Sequence, residues 1–483
     1  MRFKSITKMD VTKIAFNQFI GLKIFDKSGY LLMLNNHMAK KKSTSILFNS
    51  VKNNNEYNTS YPLTPSQWAK FKVDKDFDLF KDEKNFSIYI QIPFCENFCK
   101  FCEHTILKKN KDYEQEYLDI LEQDIAKFND SNSGMLYGFD IGGGTPTSLE
   151  PESFKRLMKI AVKTVAVYPK TDDYEPSIEA SFRTLDGEKL KYIKEAGFNR
   201  ISLGVQTVNT KILEACARGI SQLDQMKECM DLISKHGISK RNLDFMYGLP
   251  GQTEQDIENA IEAIEILYPE HVTLYEMRYN NIQRESENTY TKQELYNQYD
   301  QHYNALRSLG YHARFGQNTF SRVNDMGLSS YIKHRMMNDV SYKGFGIAAQ
   351  SKSKTGLSYN IGKTHKEDIG CSSKEISAKY FSEGTFEHGD KYLLPKDEMV
   401  AKYFALSMYL GEADIKIMDG IACCSFLDKF KDEIDFLMKN KLIEVKNNQH
   451  NTVLRLTPKG FKYYGGVVAM FYSNDAKEIV AGF

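Results

Sequence analysis

Three cysteines stand in one short run, Ile90-Gln-Ile-Pro-Phe-Cys95-Glu-Asn-Phe-Cys99-Lys-Phe-Cys102, directly after a strand-like segment. The spacing Cys-x3-Cys-x2-Cys lets one tight loop aim its thiolates at a common point. Three thiolates ligate three irons of a cubane 4Fe–4S cluster and leave the fourth iron open to a small molecule. A zinc knuckle would need four closed ligands, usually in two paired units, and no second pair follows nearby. Three buried structural thiols would have no use for the spacing. The cluster is the expected occupant.

The rest of the composition bounds the setting. A chain of 483 residues can bury a large core and is expected to carry two or three domains. Lys+Arg at 64 against Asp+Glu at 63 creates no global field for nucleic acid or a membrane surface, so neither is an expected partner. Lys and Asp interrupt the first dozen residues, so no signal peptide is expected there. No apolar run approaches the ~20 residues that span a bilayer. Cys216, Cys229, Cys371, Cys423 and Cys424 are scattered, which is not a disulfide framework, and a reducing cytoplasmic location is expected. The adjacent Cys423 and Cys424 are read as packing residues.

Residues 1–84 are Lys-, Asn- and Asp-rich, with a loop at Asn53–Asn55, and are expected to pack on the main domain as an extension. From Phe86 onward strands alternate with helices. The strands are Ser87–Ile92, Tyr137–Ile141, Ser177–Ala180, Arg200–Val205, Asn242–Met246 and His271–Glu276, with another near Tyr311–Phe315. Helical apolar spacing falls between them, as at Tyr117, Leu118, Leu121 and Ile125. The alternation predicts a parallel sheet with right-handed crossovers. About six units are too few for a closed eight-stranded barrel, so the expected fold is α/β, a partial (β/α)6 TIM-type barrel over 85–325. Residues 326–394 read as an irregular connecting or substrate-covering region. Residues 395–483 read as a small C-terminal winged-helix-like α+β domain, with helices, a hairpin of Leu442–Val445 and Thr452–Leu456, and a last helix opening at Thr457-Pro458. It lacks a concentrated basic recognition helix, so packing or substrate covering is expected rather than DNA binding.

A second chemical feature is Ile141-Gly142-Gly143-Gly144-Thr145-Pro146-Thr147 at a strand's C-terminal end. Consecutive glycines permit positive φ and let a ligand touch the backbone, and barrels of this class place their sites at such ends. Neither the phosphate-loop Gly-Lys-Ser/Thr nor the dinucleotide Gly-x-Gly-x-x-Gly pattern is met. S-adenosylmethionine (SAM), whose amino-acid end needs backbone donors and acceptors, is the better expectation.

Taken together, the cysteine run and the segment Tyr89–Ser181 resemble radical SAM enzymes of the oxygen-independent coproporphyrinogen III oxidase family, which includes haem chaperones and radical methyltransferases. Gly197-Phe-Asn-Arg-Ile-Ser-Leu-Gly-Val-Gln206, Asn242-Leu-Asp-Phe-Met-Tyr-Gly-Leu-Pro-Gly251 and Gly344-Phe-Gly-Ile-Ala-Ala349 extend the likeness. Thr59-Ser-Tyr-Pro62 resembles a short motif of the long, oxidase-like forms. The resemblance implies one 4Fe–4S cluster on Cys95, Cys99 and Cys102, with Phe101 near the SAM adenine. It implies that Gly142, Gly143 and Gly144, with Thr145, meet the methionine end, and that Glu179 holds the amino group or a ribose. It also implies SAM contacts for Gln206, Arg218 and Asp244. Each has a bland alternative: Glu179 as a helix cap, Asp244 as partner of a buried arginine, Arg218 as a helix C-terminal charge. Their places at successive strand ends favour the contacts.

His104 stands where coproporphyrinogen oxidases usually carry a fourth cysteine, and Ile178-Glu-Ala-Ser-Phe-Arg183 lacks the usual Asn/Asp-Pro after its Glu. His104 is therefore either a loop histidine or a catalytic group of diverged chemistry. The resemblance implies a 5′-deoxyadenosyl radical used for oxidative decarboxylation or related chemistry on a tetrapyrrole. The rival expectations are methyl or methylene transfer with a second SAM onto haem or another conjugated acceptor, and a non-catalytic haem chaperone. An electron donor such as flavodoxin or ferredoxin is an implied partner. Arg278, Arg284, Arg314 and Arg322 are candidate grips for propionates.

Overall fold

The computed structural model describes residues 44–52, 61, 69–278, 290–362, 375, 377–447 and 451–481. The Asn53–Asn55 loop, Thr59, Ser60 and Pro62, Arg284 and Cys371 lie outside the described residues.

One mixed sheet of twelve strands organises the chain. In chain order β1 is Lys72–Val73 and β2 is Asn85–Ile92, while the short β3 (Phe94–Cys95) and β4 (Leu107–Lys108) pair with each other outside that sheet. Then come β5 (Met135–Gly143), β6 (Ser177–Ala180), β7 (Arg200–Gln206), β8 (Lys240–Tyr247) and β9 (His271–Glu276). β2 and β5 to β9 lie side by side in sequence order and pair parallel. These are the six expected units. The sheet ends at β1 on one side and β10 (Thr319–Ser321) on the other, so the barrel is partial and open.

Local chemistry sets the elements. Asn110 caps helix Lys111–Ser131 by accepting from the Asp112 amide, and Tyr117, Leu118, Leu121 and Ile125 are buried on one face. Capping boxes at Thr253/Asp256 and Thr291/Glu294 start helices Glu254–Leu267 and Lys292–Ser308. β2 alternates in sequence, yet only Asn85 and Tyr89 show surface. It has parallel neighbours on both edges, where strands are covered on both faces.

Three expectations are corrected. At Tyr311–Phe315 only His312 bridges, to Ser321; the strand is β10, antiparallel to β9. The apolar spacing there belongs to a turn whose Phe315 packs on Tyr299 and Tyr303.

Residues 326–394 are not irregular throughout. β11 (Ser341–Phe345) pairs parallel with β2, and β12 (Gln350–Lys352), β13 (Gly356–Tyr359) and β14 (Asp390–Leu393) carry the sheet on antiparallel to β1. Buried lysines hide these strands from periodicity: Lys343 pairs with Glu387 at 2.5 Å and Lys352 with Asp339 at 2.6 Å. The adjacent Cys423 and Cys424 are exposed rather than packed, Cys423 ending helix Ile415–Ala422 with φ 55°.

The C-terminal elements follow the order of a winged helix. Helix Lys396–Met408 leads to β15 (Glu412–Asp414), then helices Ile415–Ala422, Phe426–Lys429 and Lys431–Lys439. The hairpin β16 (Ile443–Asn447) and β17 (Thr452–Leu456) closes a sheet ordered β15-β17-β16. A second core forms here around Phe404, Phe426, Leu437 and Phe471. Phe48 and Val51, from the helix at 44–51, and Tyr61 join this core, whereas Leu79 and Phe80 join the barrel's. The described part of the N-terminal extension thus packs on both units. Glu412 receives Arg314 at 2.7 Å and Arg455 at 3.0 Å, tying the barrel to the C-terminal unit. Among the described residues no helix is long and apolar enough to cross a membrane.

Candidate functional site

The cysteine loop is stapled to its neighbours by main-chain hydrogen bonds. Gly144 N donates to Ile92 O (2.7 Å) and Thr145 N to Phe94 O (2.9 Å), while Lys109 N donates to Cys95 O (2.9 Å). Cys95, Cys99 and Cys102 are all free thiols. Thr145 Oγ1 lies 3.6 Å from Cys95 Sγ, and Arg218 Nη1 lies 3.8 Å from Cys99 Sγ. Burial pushes the Cys95 thiol up to about 12 and the Cys102 thiol up to about 11. A bound iron reverses that balance, because a coordinating thiol is deprotonated outright. Among the described residues no group of three or more His, Cys, Asp or Glu is arranged around a single ion. A cubane asks for no such group, since each thiolate takes a different iron.

A cavity of about 730 Å³ opens over this loop at the carboxyl ends of the strands. The three cysteines line it, with Phe101 and His104 from the same loop. β5 and the turn after it add Gly143, Gly144 and Thr145; β6 adds Glu179, β7 Gln206 and β8 Asp244. Arg218 enters after helix Thr210–Ala215. Gly142 is the exception among the expected site residues: it packs behind, where a Cβ would sit 2.5 Å from the Glu179 carboxyl carbon.

Backbone geometry explains the other glycines. Gly143 has φ +110°, its N–H donates to Glu179 Oε2 at 3.0 Å, and a Cβ there would meet the Gln91 amide at 2.4 Å. A Cβ on Gly144 would meet Phe94 O at 2.7 Å. The glycine turn is thus packed directly onto β2 and the cysteine loop. Gln206 holds φ +70° just past a register shift between β7 and β8, a strained backbone of the kind found at ligand sites. Arg218 Nη2 donates to Gly204 O at 2.6 Å and its guanidinium lies 5.9 Å from the Phe101 ring centre. Phe101 itself packs on Ile212, Cys216, Met246, Leu249 and Met277.

A family profile described as the radical SAM superfamily matches residues 89–264. These residues form a radical SAM domain. Over 379 residues the chain is 29% identical to "Heme chaperone HemW" of Bacillus subtilis, covering 76% of this chain and 93% of that protein. Over 237 residues it is 31% identical to the oxygen-independent coproporphyrinogen III oxidase of Escherichia coli, covering 46% of this chain and 50% of that relative. The match therefore spans about half the length of that oxidase. The structure of coproporphyrinogen III oxidase (HemN) from Escherichia coli superposes with a TM-score of 0.68 at 22% identity, over 86% of this chain and 97% of that one. At that identity the likeness is one of fold. The cofactors of radical SAM domains are a 4Fe–4S cluster and SAM, and the free thiols, the cavity-lining Gly143 and Gly144 and the apolar bed of Phe101 in this one fit both.

One cavity carboxylate, Asp140, carried no motif, whereas Asp244 is an expected site residue. Asp140 on β5 accepts from Ser329 Oγ at 2.6 Å, and its Oδ1 is buried without a hydrogen-bond partner. Asp244 accepts from Ser202 Oγ (3.0 Å) and Asn242 Nδ2 (2.8 Å). A polar residue on the inward face of a parallel strand is the available signal for Asp140. Among the arginines expected to grip propionates, Arg278 lines the cavity beside Glu103, at 3.4 Å. Arg314 is held by Glu412, and Arg322 pairs with Glu270 and stacks on Tyr268; neither lines the cavity, and both serve the scaffold.

Burial pushes three cavity carboxyls up, Asp140 to about 7, Glu179 to about 7 and Asp244 to about 6. A carboxyl with a raised folded-state pKa binds more protons folded than unfolded, so its stability contribution is lost as pH rises from the unfolded to the folded value. Ligand-free protein is therefore expected to lose stability between pH ~4 and ~7. Asp140→Asn should raise the melting temperature at pH 8, for a stability gain of up to about 4 kcal/mol, and do little at pH 4. Equal effects at both pH values in thermal melts would contradict the assignment.

His104 lines the cavity and is reached by solvent from within it, while the surrounding protein holds its pKa below the ordinary value by desolvation. It is therefore neutral at pH 7 and able to accept or donate one hydrogen bond at each ring nitrogen. Its backbone N–H faces the Cys102 sulfur. His104→Ala keeps that N–H and should preserve iron content and SAM binding while lowering product formation at least ~10-fold. His104→Pro removes it and should lower iron content as well. Parental turnover by His104→Ala would make the residue a loop histidine.

Proposed function

We propose that the chain is a radical SAM enzyme of the coproporphyrinogen oxidase type, acting on a tetrapyrrole by oxidative decarboxylation of a propionate or closely related chemistry. The observation that carries this is one continuous cavity from the cysteines to Leu406, Tyr409, Leu410 and Phe461 of the C-terminal unit. At about 730 Å³ it suits a single large small-molecule substrate beside a nucleoside cofactor.

In this proposal Cys95, Cys99 and Cys102 hold the cluster, and the main chain of Gly143, Gly144 and Thr145 meets the SAM amino-acid end. Glu179 accepts from its amino group, with Gly142 packed behind that carboxyl. Phe101 flanks the adenine, and Gln206, Arg218 and Asp244 complete the SAM contacts. When bound, cluster and SAM together supply reductive cleavage of SAM and abstraction of a substrate hydrogen. The protein orients the substrate hydrogen, keeps out water, and covers the cavity with the C-terminal unit. The division at 85, 326 and 395, a flavodoxin- or ferredoxin-type electron donor and a cytoplasmic setting belong to the same proposal.

Coverage of 93% of the Bacillus subtilis haem chaperone supports a second reading, haem binding without turnover. Anaerobic incubation with SAM, dithionite and coproporphyrinogen III or haem, followed by mass spectrometry, separates them. Loss of carbon dioxide is expected, and gain of a methylene unit would replace decarboxylation by transfer. Tight haem binding with no mass change in either compound would overturn the enzyme reading.

A further inference from the structure

We infer that Arg335 is the anchor for a carboxylate of the substrate; which acid it takes rests on the tetrapyrrole reading above. Ser329 caps helix Ser330–Met337, accepting from Ile332 N at 3.2 Å while its hydroxyl donates to Asp140 at 2.6 Å. Met336 packs on Leu406 and Leu410 of the C-terminal unit. The helix is thereby fixed between barrel and cap, with Tyr331 and Arg335 on the cavity wall.

The Arg335 guanidinium lies 4.5 Å from the Tyr342 ring centre and 5.7 Å from that of Tyr331. Nη1 donates to Tyr331 OH at 3.2 Å, and Nε is buried with no hydrogen-bond partner. Among the described residues no carboxylate forms an ion pair with Arg335, whereas Arg183, Arg278 and Arg314 each have one, in Glu96, Glu103 and Glu412. The nearby Lys352 is neutralised by Asp339, and the charge of Lys402 is disfavoured by burial first and then by Arg335 and Lys352. The Arg335 side of the cavity is therefore short of negative charge.

Arg335 is half-buried with its Nε fully so, and holding a guanidinium partly out of water without a counter-charge is unfavourable. It is tolerated where a ligand brings the anion, and the planar fork of arginine matches a carboxylate with two parallel bonds. With Nη1 on the Tyr331 hydroxyl, the remaining donors of its edge are the available contact. Asp140, Glu179 and Asp244 line the same cavity from the barrel strands, so it holds acidic groups as well as the Arg335 guanidinium. A ligand with N–H donors at its centre and carboxylates on its rim matches both.

The test uses the full chain, titrated with coproporphyrin III and with its tetramethyl ester, for the parent, Arg335→Gln, Arg335→Lys and Arg335→Met. Arg335→Gln should weaken the acid ~10- to 100-fold, the size of one charge-assisted contact, and leave the ester unchanged. Arg335→Lys should lie between. Ligand-free Arg335→Met should melt at or above the parent, because a half-buried charge without a counter-ion is gone. Equal acid affinity across the variants overturns the anchor. If the parent binds neither porphyrin, the tetrapyrrole reading fails. The anchor then stands if Arg335→Met raises the melting temperature and falls if it lowers it.

Discussion

Replacing any one of Cys95, Cys99 or Cys102 with alanine is expected to bring SAM cleavage to background and to strip iron from the protein. Each thiolate holds a separate iron, and an iron that loses its protein ligand becomes labile. The loop itself should survive, because the bonds that staple it are main-chain ones from Gly144, Thr145 and Lys109. Folding stability should therefore change by about 1 kcal/mol or less. Cys229, a buried thiol in the barrel core, gives the control: Cys229→Ala should keep iron and activity. Iron content, the charge-transfer absorbance and 5′-deoxyadenosine yield read all three. A triple variant that still yields 5′-deoxyadenosine would remove the basis for the cluster site.

Gly143→Val should cost about 3–5 kcal/mol of stability and lower both iron content and SAM affinity. A β-branched residue is disfavoured at φ +110°, and its Cβ would sit 2.4 Å from the Gln91 amide. To yield, the buried Gln91 amide would have to give up its bond with Tyr89 OH at 3.2 Å. The Gln91 main-chain oxygen accepts from Tyr117 OH at 2.5 Å and its side chain reaches Thr105 O at 3.4 Å, on the far side of the cysteine loop. From motif alone the glycine turn reads as a ligand contact one βα unit away from the cysteines. Its packing makes the two parts of the site interdependent. A stable Gly143→Val protein with full iron and lost SAM binding would restore the simpler role.

The six parallel strands were legible because their apolar residues and the helical spacing between them obey two different periods, as in Tyr137–Ile141 followed by helix Pro151–Ala166. The cysteine run and glycine turn were legible because their chemistry depends on spacing within one segment. β11 and β12 were not, because Lys343 and Lys352 are buried on partners far along the chain, Glu387 and Asp339 being visible only once folded. Asp140 and Arg335 escaped for a related reason. Each looks like an ordinary charge in an element, and only the assembled cavity leaves Asp140 Oδ1 and Arg335 Nε without partners. Tyr61, from the upstream motif, packs 4.5 Å from Tyr472 in the C-terminal core, a pairing no local pattern encodes.

The most direct measurement is the 5′-deoxyadenosine released per tetrapyrrole consumed, under anaerobic conditions with SAM and dithionite, for the parent and for His104→Ala. The proposed enzyme should release 5′-deoxyadenosine in fixed proportion to carbon dioxide lost from the substrate, with both falling in the variant. Tetrapyrrole bound tightly with no substrate-dependent 5′-deoxyadenosine and no change in its mass would contradict it.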